Sequence, residues 1–156
     1  MQMIFDKGLC FFEEECAYPG VKRVAENVKK DIERVIGHRP QTINSFIGAG
    51  NCVIYGTVGR SDILQELEQQ GKLDLTEVYG KREVYLFQII SNPTPDMDCA
   101  LVIVGSDKRG TIYGLYHLSE ILGVSPLVNW NHVWPEKKAQ IVLNDDCNMI
   151  SKEPSV

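Results

Sequence analysis

Ala100-Leu-Val-Ile-Val104 is an aliphatic run with no polar interruption, bounded by a turn on each side. A run this short, with no alternation, reads as a strand buried inside a sheet. The adjoining segment narrows the fold further. Gly105-Ser-Asp-Lys-Arg-Gly110 is a glycine-bounded turn, and Ile112, Leu115, Leu118, Ile121 and Leu122 then recur at helical spacing up to Gly123. This predicts a helix over 109–122, with Asp107 near its start, where a carboxylate meets the helix dipole.

The rest of the chain repeats that alternation. Residues 3–12 predict a short strand or hairpin. Pro19 suits a helix entrance, and Val21, Val24, Ala25, Val28, Ile32, Val35 and Ile36 form an apolar stripe closed by Gly37 and Pro40. Lys22, Arg23, Glu26, Lys29, Lys30, Glu33 and Arg34 are assigned to the outer face of this helix. Strands are expected over 42–47, 52–55, 81–90 and 140–143, and a second helix between a Ser61 cap and Gly71. Paired strands between helices imply an α/β fold of the α+β type, a mixed β-sheet with about three packed helices. With 156 residues, one domain of this kind is accommodated; a complete (β/α)8 barrel, which takes about 250 residues, is not.

Composition excludes some partners. The net charge of -5 disfavours a phosphate backbone, so no nucleic-acid partner is expected. No apolar stretch approaches the roughly 20 residues of a membrane span, and the first residues lack the pattern of a signal peptide. A cytoplasmic location is therefore expected, with secretion of a longer parent left open. The five cysteines, Cys10, Cys16, Cys52, Cys99 and Cys147, form no C-x-x-C pair. They read as reduced thiols, with Cys52 and Cys99 in the core and no metal site among them.

Few residues suggest chemistry. The turn 105–110 sits where phosphate loops sit, but Thr111-Ile112 stand where a P-loop requires Lys followed by Ser or Thr. No nucleotide or other cofactor is expected. Lys108 and Arg109 stand beside a helix N-terminus, where positive charge is disfavoured; they read either as cations with a partner elsewhere or as two solvated surface charges. Glu13-Glu-Glu15 and Asp145-Asp146 are read as solvated carboxylates. Trp130 and Trp134, set among Asn129, Asn131 and His132, fit a sugar-stacking platform or a plug at a domain interface.

Gly105-Ser-Asp-Lys-Arg-Gly-Thr-Ile-Tyr-Gly-Leu-Tyr-His-Leu-Ser-Glu-Ile-Leu-Gly-Val-Ser-Pro126 closely resembles glycoside hydrolase family 115, the xylan α-1,2-glucuronidases. Asp31 to Pro40, Gly56 to Ser61 and Gly80 to Tyr85 resemble further segments of that family. The resemblance implies a non-catalytic N-terminal domain over 1–150, similar to the N-terminal domains of other glycosidase families. Residues 151–156 would begin a linker to a catalytic barrel.

The family's acid and base lie in the barrel, so no catalytic residue is carried onto this chain. The implied partners are that barrel and glucuronoxylan fragments, with Lys108, Arg109 and Trp130 as candidate substrate contacts. Self-association of the isolated domain is a further expectation. The stretch Leu127 to Pro135 departs from the aromatic-rich run usual at this place in the family.

Overall fold

The computed structural model describes residues 2–45, 50–95, 97–123 and 140–154. The elements run β1 (Gln2–Phe5), β2 (Cys10–Phe12), α1 (Pro19–Ile36), β3 (Gln41–Ile43), β4 (Cys52–Thr57), α2 (Asp62–Gln69), β5 (Tyr85–Ser91), β6 (Cys99–Gly105), α3 (Lys108–Ile121), β7 (Ile141–Asn144), a 3-10 turn (Asp145–Cys147) and β8 (Met149–Ile150). The main sheet has the order β3-β2-β4-β6-β5-β8. β2, β3, β4 and β6 are mutually parallel, while β5 runs antiparallel to both β6 and β8. This is the mixed sheet with three helices that the strand–helix alternation predicts.

The aliphatic run owes its lack of alternation to its place. β6 is the fourth of six strands and is covered on both faces. Leu101 and Ile103 face α1 and α3, packing with Phe11, Val28, Ile32, Tyr55, Phe87, Leu115 and Leu118. Ala100, Val102 and Val104 face the other way, toward Ile54, Leu64, Leu67, Leu75 and Leu86. With side chains alternating across the sheet, each face needs its own apolar set, and a two-sided strand has no polar position.

α1 begins with Pro19 in its first turn and ends at Gly37, whose φ of 80° carries the left-handed C-cap. Its apolar stripe is buried as expected, but Lys29 is not on the outer face: it is 2% exposed. Its ammonium reaches the Glu26 carboxylate and the Thr42 hydroxyl at the edge of the sheet.

Two strand expectations change. Of the short strand or hairpin expected over 3–12, short strands form but do not pair with each other. β1 pairs antiparallel with β7 in a separate two-stranded sheet, whereas β2 enters the main sheet. The strand expected from Lys81 begins at Tyr85, because Glu83 takes a left-handed φ of 57° and its N–H bonds to Asp107 instead of a neighbouring strand. The later part of the strand expected over 42–47 lies outside the described residues.

After β8 the chain stays fastened to the start of β5. Tyr85 N–H donates to Ser151 Oγ at 2.9 Å, Ser151 N–H to the Tyr85 carbonyl at 2.9 Å, and Arg82 N–H to Glu153 Oε1 at 3.0 Å. Among the described residues, no helix is long and apolar enough to cross a membrane.

Candidate functional site

Four parallel strands point their carboxyl ends to one edge of the sheet, and the amino ends of α1, α2 and α3 open at that same edge. β2 lies between β3 and β4, with α1 on one face and α2 on the other. The crevice between β2 and β4 is thus a topological switch point, the usual ligand position in open α/β sheets.

Here the protein's own chain fills that position. The Glu14 carboxylate accepts from the Ser61 hydroxyl, from Asp62 N–H at 2.9 Å and from Ile63 N–H at 3.4 Å. Ser61 Oγ in turn accepts from Leu64 N–H at 3.2 Å. The anion that a helix N-terminus attracts is therefore a side chain from the loop between β2 and α1. A clasp closes over it: Arg60 Nε donates to the Cys16 carbonyl at 2.7 Å, Cys16 Sγ to the Arg60 carbonyl at 3.1 Å, and the Arg60 guanidinium lies 4.1 Å from the Tyr18 ring centre. A phosphate at the amino end of α2 would have to displace Glu14.

Beside the clasp is a polar cleft of about 600 Å³ lined by Glu13, Glu14, Glu15, Lys22 and residues 42–45. Glu13 Oε1 accepts from the Tyr55 hydroxyl at 2.8 Å, and Lys22 Nζ donates to the Glu15 carbonyl at 2.9 Å. Burial, reinforced by the neighbouring Glu13 carboxylate, pushes the Tyr55 phenol far above its ordinary pKa, so Tyr55 stays a neutral donor. Glu13 and Glu14 are thus structural groups, not the solvated carboxylates their sequence suggests.

The glycine-rich turn is also largely consumed by packing. A Cβ on Gly105 would stand 2.1 Å from Thr111 N, one on Gly110 2.2 Å from the Val84 carbonyl oxygen, and one on Gly114 2.5 Å from Ile103 Cγ2. Thr111 is fully buried, its hydroxyl 3.0 Å from the Gly56 carbonyl and 2.6 Å from the Thr57 hydroxyl. Asp107 caps α3 through Gly110 N–H at 2.8 Å and holds Glu83 N–H at 3.0 Å with its other oxygen.

Replacing Asp107 with Ala removes the acceptor of both these N–H groups, and we expect a loss of about 2 kcal/mol in urea denaturation. Asn, which keeps one acceptor oxygen, should lose less. An unchanged Asp107→Ala midpoint would show that the cap contributes nothing.

Lys108 and Arg109 are both exposed at this edge, and they diverge. The Lys108 side chain crosses Gly20 at the start of α1, close enough that a Cβ on Gly20 would stand 2.8 Å from its Cε. Arg109 turns the other way, Nη1 donating to Glu83 Oε1 at 2.9 Å. Trp130 lies outside the described residues. Among the described residues no group of three or more His, Cys, Asp or Glu side chains is arranged to hold a metal ion.

The fold recurs inside glycoside hydrolases. A family GH115 4-O-methyl-α-glucuronidase with specificity for decorated arabinogalactans superposes with a TM-score of 0.76 at 24% identity, over 96% of this chain and 18% of its own. The glycoside hydrolase CpGH84D superposes with a TM-score of 0.57 at 10% identity, over 92% of this chain and 21% of its own. This chain therefore spans about a fifth of the length of the structures it matches. No family model and no curated protein matches the sequence.

Proposed function

We propose that this chain is the non-catalytic N-terminal domain of a glycoside hydrolase that removes glucuronic acid from a decorated polysaccharide. In this reading residues 1–150 pack on the catalytic barrel of a longer polypeptide, and 151–156 lead toward it. One observation carries the reading: 96% of the chain superposes on 18% of an α-glucuronidase. The closed switch point agrees with it, since a Glu14 carboxylate seated in the expected ligand position suits a scaffold better than a receptor.

Lys108 and Arg109 are the exposed side chains of the 105–111 stretch. At the rim of an adjoining barrel they would meet either a barrel carboxylate or that of a glucuronic acid. The neighbour's specificity for decorated arabinogalactans widens the candidate substrates beyond xylan to other glucuronosyl-decorated chains.

The chain alone should release no sugar from a 4-O-methylglucuronosyl oligosaccharide, and calorimetric titration with it should give no saturable heat. Turnover by the isolated chain would overturn the non-catalytic assignment. Saturable binding lost in Trp130→Ala would instead favour a stand-alone carbohydrate-binding module.

A further inference from the structure

We propose that the outward face of α3 is a self-association surface, and that its occupant is α3 of a second copy of this chain, lying antiparallel across a two-fold axis. Arg109, Tyr113, Tyr116 and Glu120 succeed one another at steps of four, three and four residues, which keeps them on one seam of the helix. They lie opposite the buried positions Leu115 and Leu118. Tyr113 is 42% and Tyr116 47% exposed, and Arg109 and Glu120 are exposed as well. The neighbouring helix differs: the exposed positions of α1 include Arg23, Asn27, Lys30 and Glu33, with no aromatic between them.

The seam is complementary to itself when reversed. It carries a cation at its amino end, a carboxylate at its carboxyl end and two phenol rings between them. A two-fold axis passing between Tyr113 and Tyr116 sets Arg109 of one copy against Glu120 of the other. The same axis sets Tyr113 against Tyr116, and each contact occurs twice, as an isologous interface requires. A parallel pairing would place like charges against each other at both ends. Reversal also sets the helix dipoles head to tail.

The four-three-four spacing is that of helices packed at a shallow angle. Tyrosine suits such a seam, because its ring is buried while its hydroxyl stays at the wet margin. The ion pair of Arg109 with Glu83 uses Nη1, which leaves Nη2 and Nε for a second carboxylate. One helix per copy falls short of the roughly 800 Å² per partner of a standard interface, so the dimer is weak and concentration-dependent. The surface shares Arg109 with the contact proposed at a barrel rim, so within a longer polypeptide the two contacts are alternatives, and the pairing of copies is a property of this chain on its own.

Sedimentation velocity of the whole chain from micromolar to millimolar concentration tests it. The weight-average mass should climb toward that of a dimer. Tyr113→Glu and Tyr116→Glu should remain monomeric with unchanged circular dichroism. Arg109→Glu should weaken association by about tenfold, and Arg109→Glu combined with Glu120→Arg should restore it. A monomer mass throughout, or association indifferent to both tyrosine variants, overturns the surface. Failure of the charge exchange to restore what Arg109→Glu loses overturns the antiparallel pairing.

Discussion

Gly110→Ala is expected to unfold the domain or to destabilise it by more than about 3 kcal/mol, a large share of the roughly 5–15 kcal/mol typical of a folded domain. The reason is geometric. The new Cβ would lie 2.2 Å from the Val84 carbonyl oxygen, 3.1 Å from its carbonyl carbon and 3.2 Å from its nitrogen. These are backbone atoms just ahead of β5, and they cannot swing aside as a side chain can.

Val84 is held from two directions: its N–H donates to Ser106 Oγ at 3.0 Å and its carbonyl accepts from Ser106 N–H at 2.8 Å. Relieving the clash means separating α3 from β5 or breaking that pair, and either one opens the apolar layer under Leu115 and Leu118. Gly20→Ala is the control. Its Cβ would meet only the end of the Lys108 side chain and Ile112 Cδ1, both free to move, so its cost should stay within about 1 kcal/mol. Urea denaturation of the two variants decides it: equal midpoints would mean that close approach is not what the Gly110 position requires.

What the sequence reveals and what it hides divide by distance along the chain. α1 is legible from its stripe and from Gly37, because period and stop signal are local. The β6 run is legible because a two-sided strand shows in composition. The pairing of β1 is not, since its partner Leu143 is remote from Met3 and no local pattern records it.

The same limit governs the edge of the sheet. That Asp107 caps α3 could be read from the residues beside it. That Glu14 caps α2 could not, because its partners Asp62 and Ile63 lie 48 and 49 residues on. Lys108 and Arg109 are adjacent in sequence, yet one passes over Gly20 and the other pairs with Glu83, both remote along the chain. Lys29 misled for a related reason: the helical wheel places it at the border of the apolar stripe, and only Thr42 and the sheet edge decide that it turns inward.

Lys29→Ala is expected to cost about 3 kcal/mol, whereas Lys29→Met should cost less than about 1.5 kcal/mol. The Lys29 side chain is buried to 2% exposure, with its ammonium on Glu26 and Thr42 and 5.9 Å from the centre of the Phe11 ring. Burying an ammonium carries a desolvation cost that its pairing offsets but seldom exceeds, so the stabilising part of this residue is its four-carbon stem. Met preserves most of that volume; Ala leaves a cavity under α1.

Removing the ammonium does not strand its carboxylate partner either, because Glu26 also pairs with Arg39. The pH dependence separates the two contributions. The hydrogen bond from Lys29, together with the weaker help of Arg39, holds the Glu26 carboxyl below its ordinary range. A carboxyl depressed in the folded state adds stability above its unfolded pKa, and this is lost as the pH falls through the folded value. In Lys29→Met that acid-side loss should become shallower, even though stability at neutral pH barely changes. If Met proves as damaging as Ala at neutral pH, the ion pair and not the stem holds α1 against the sheet edge.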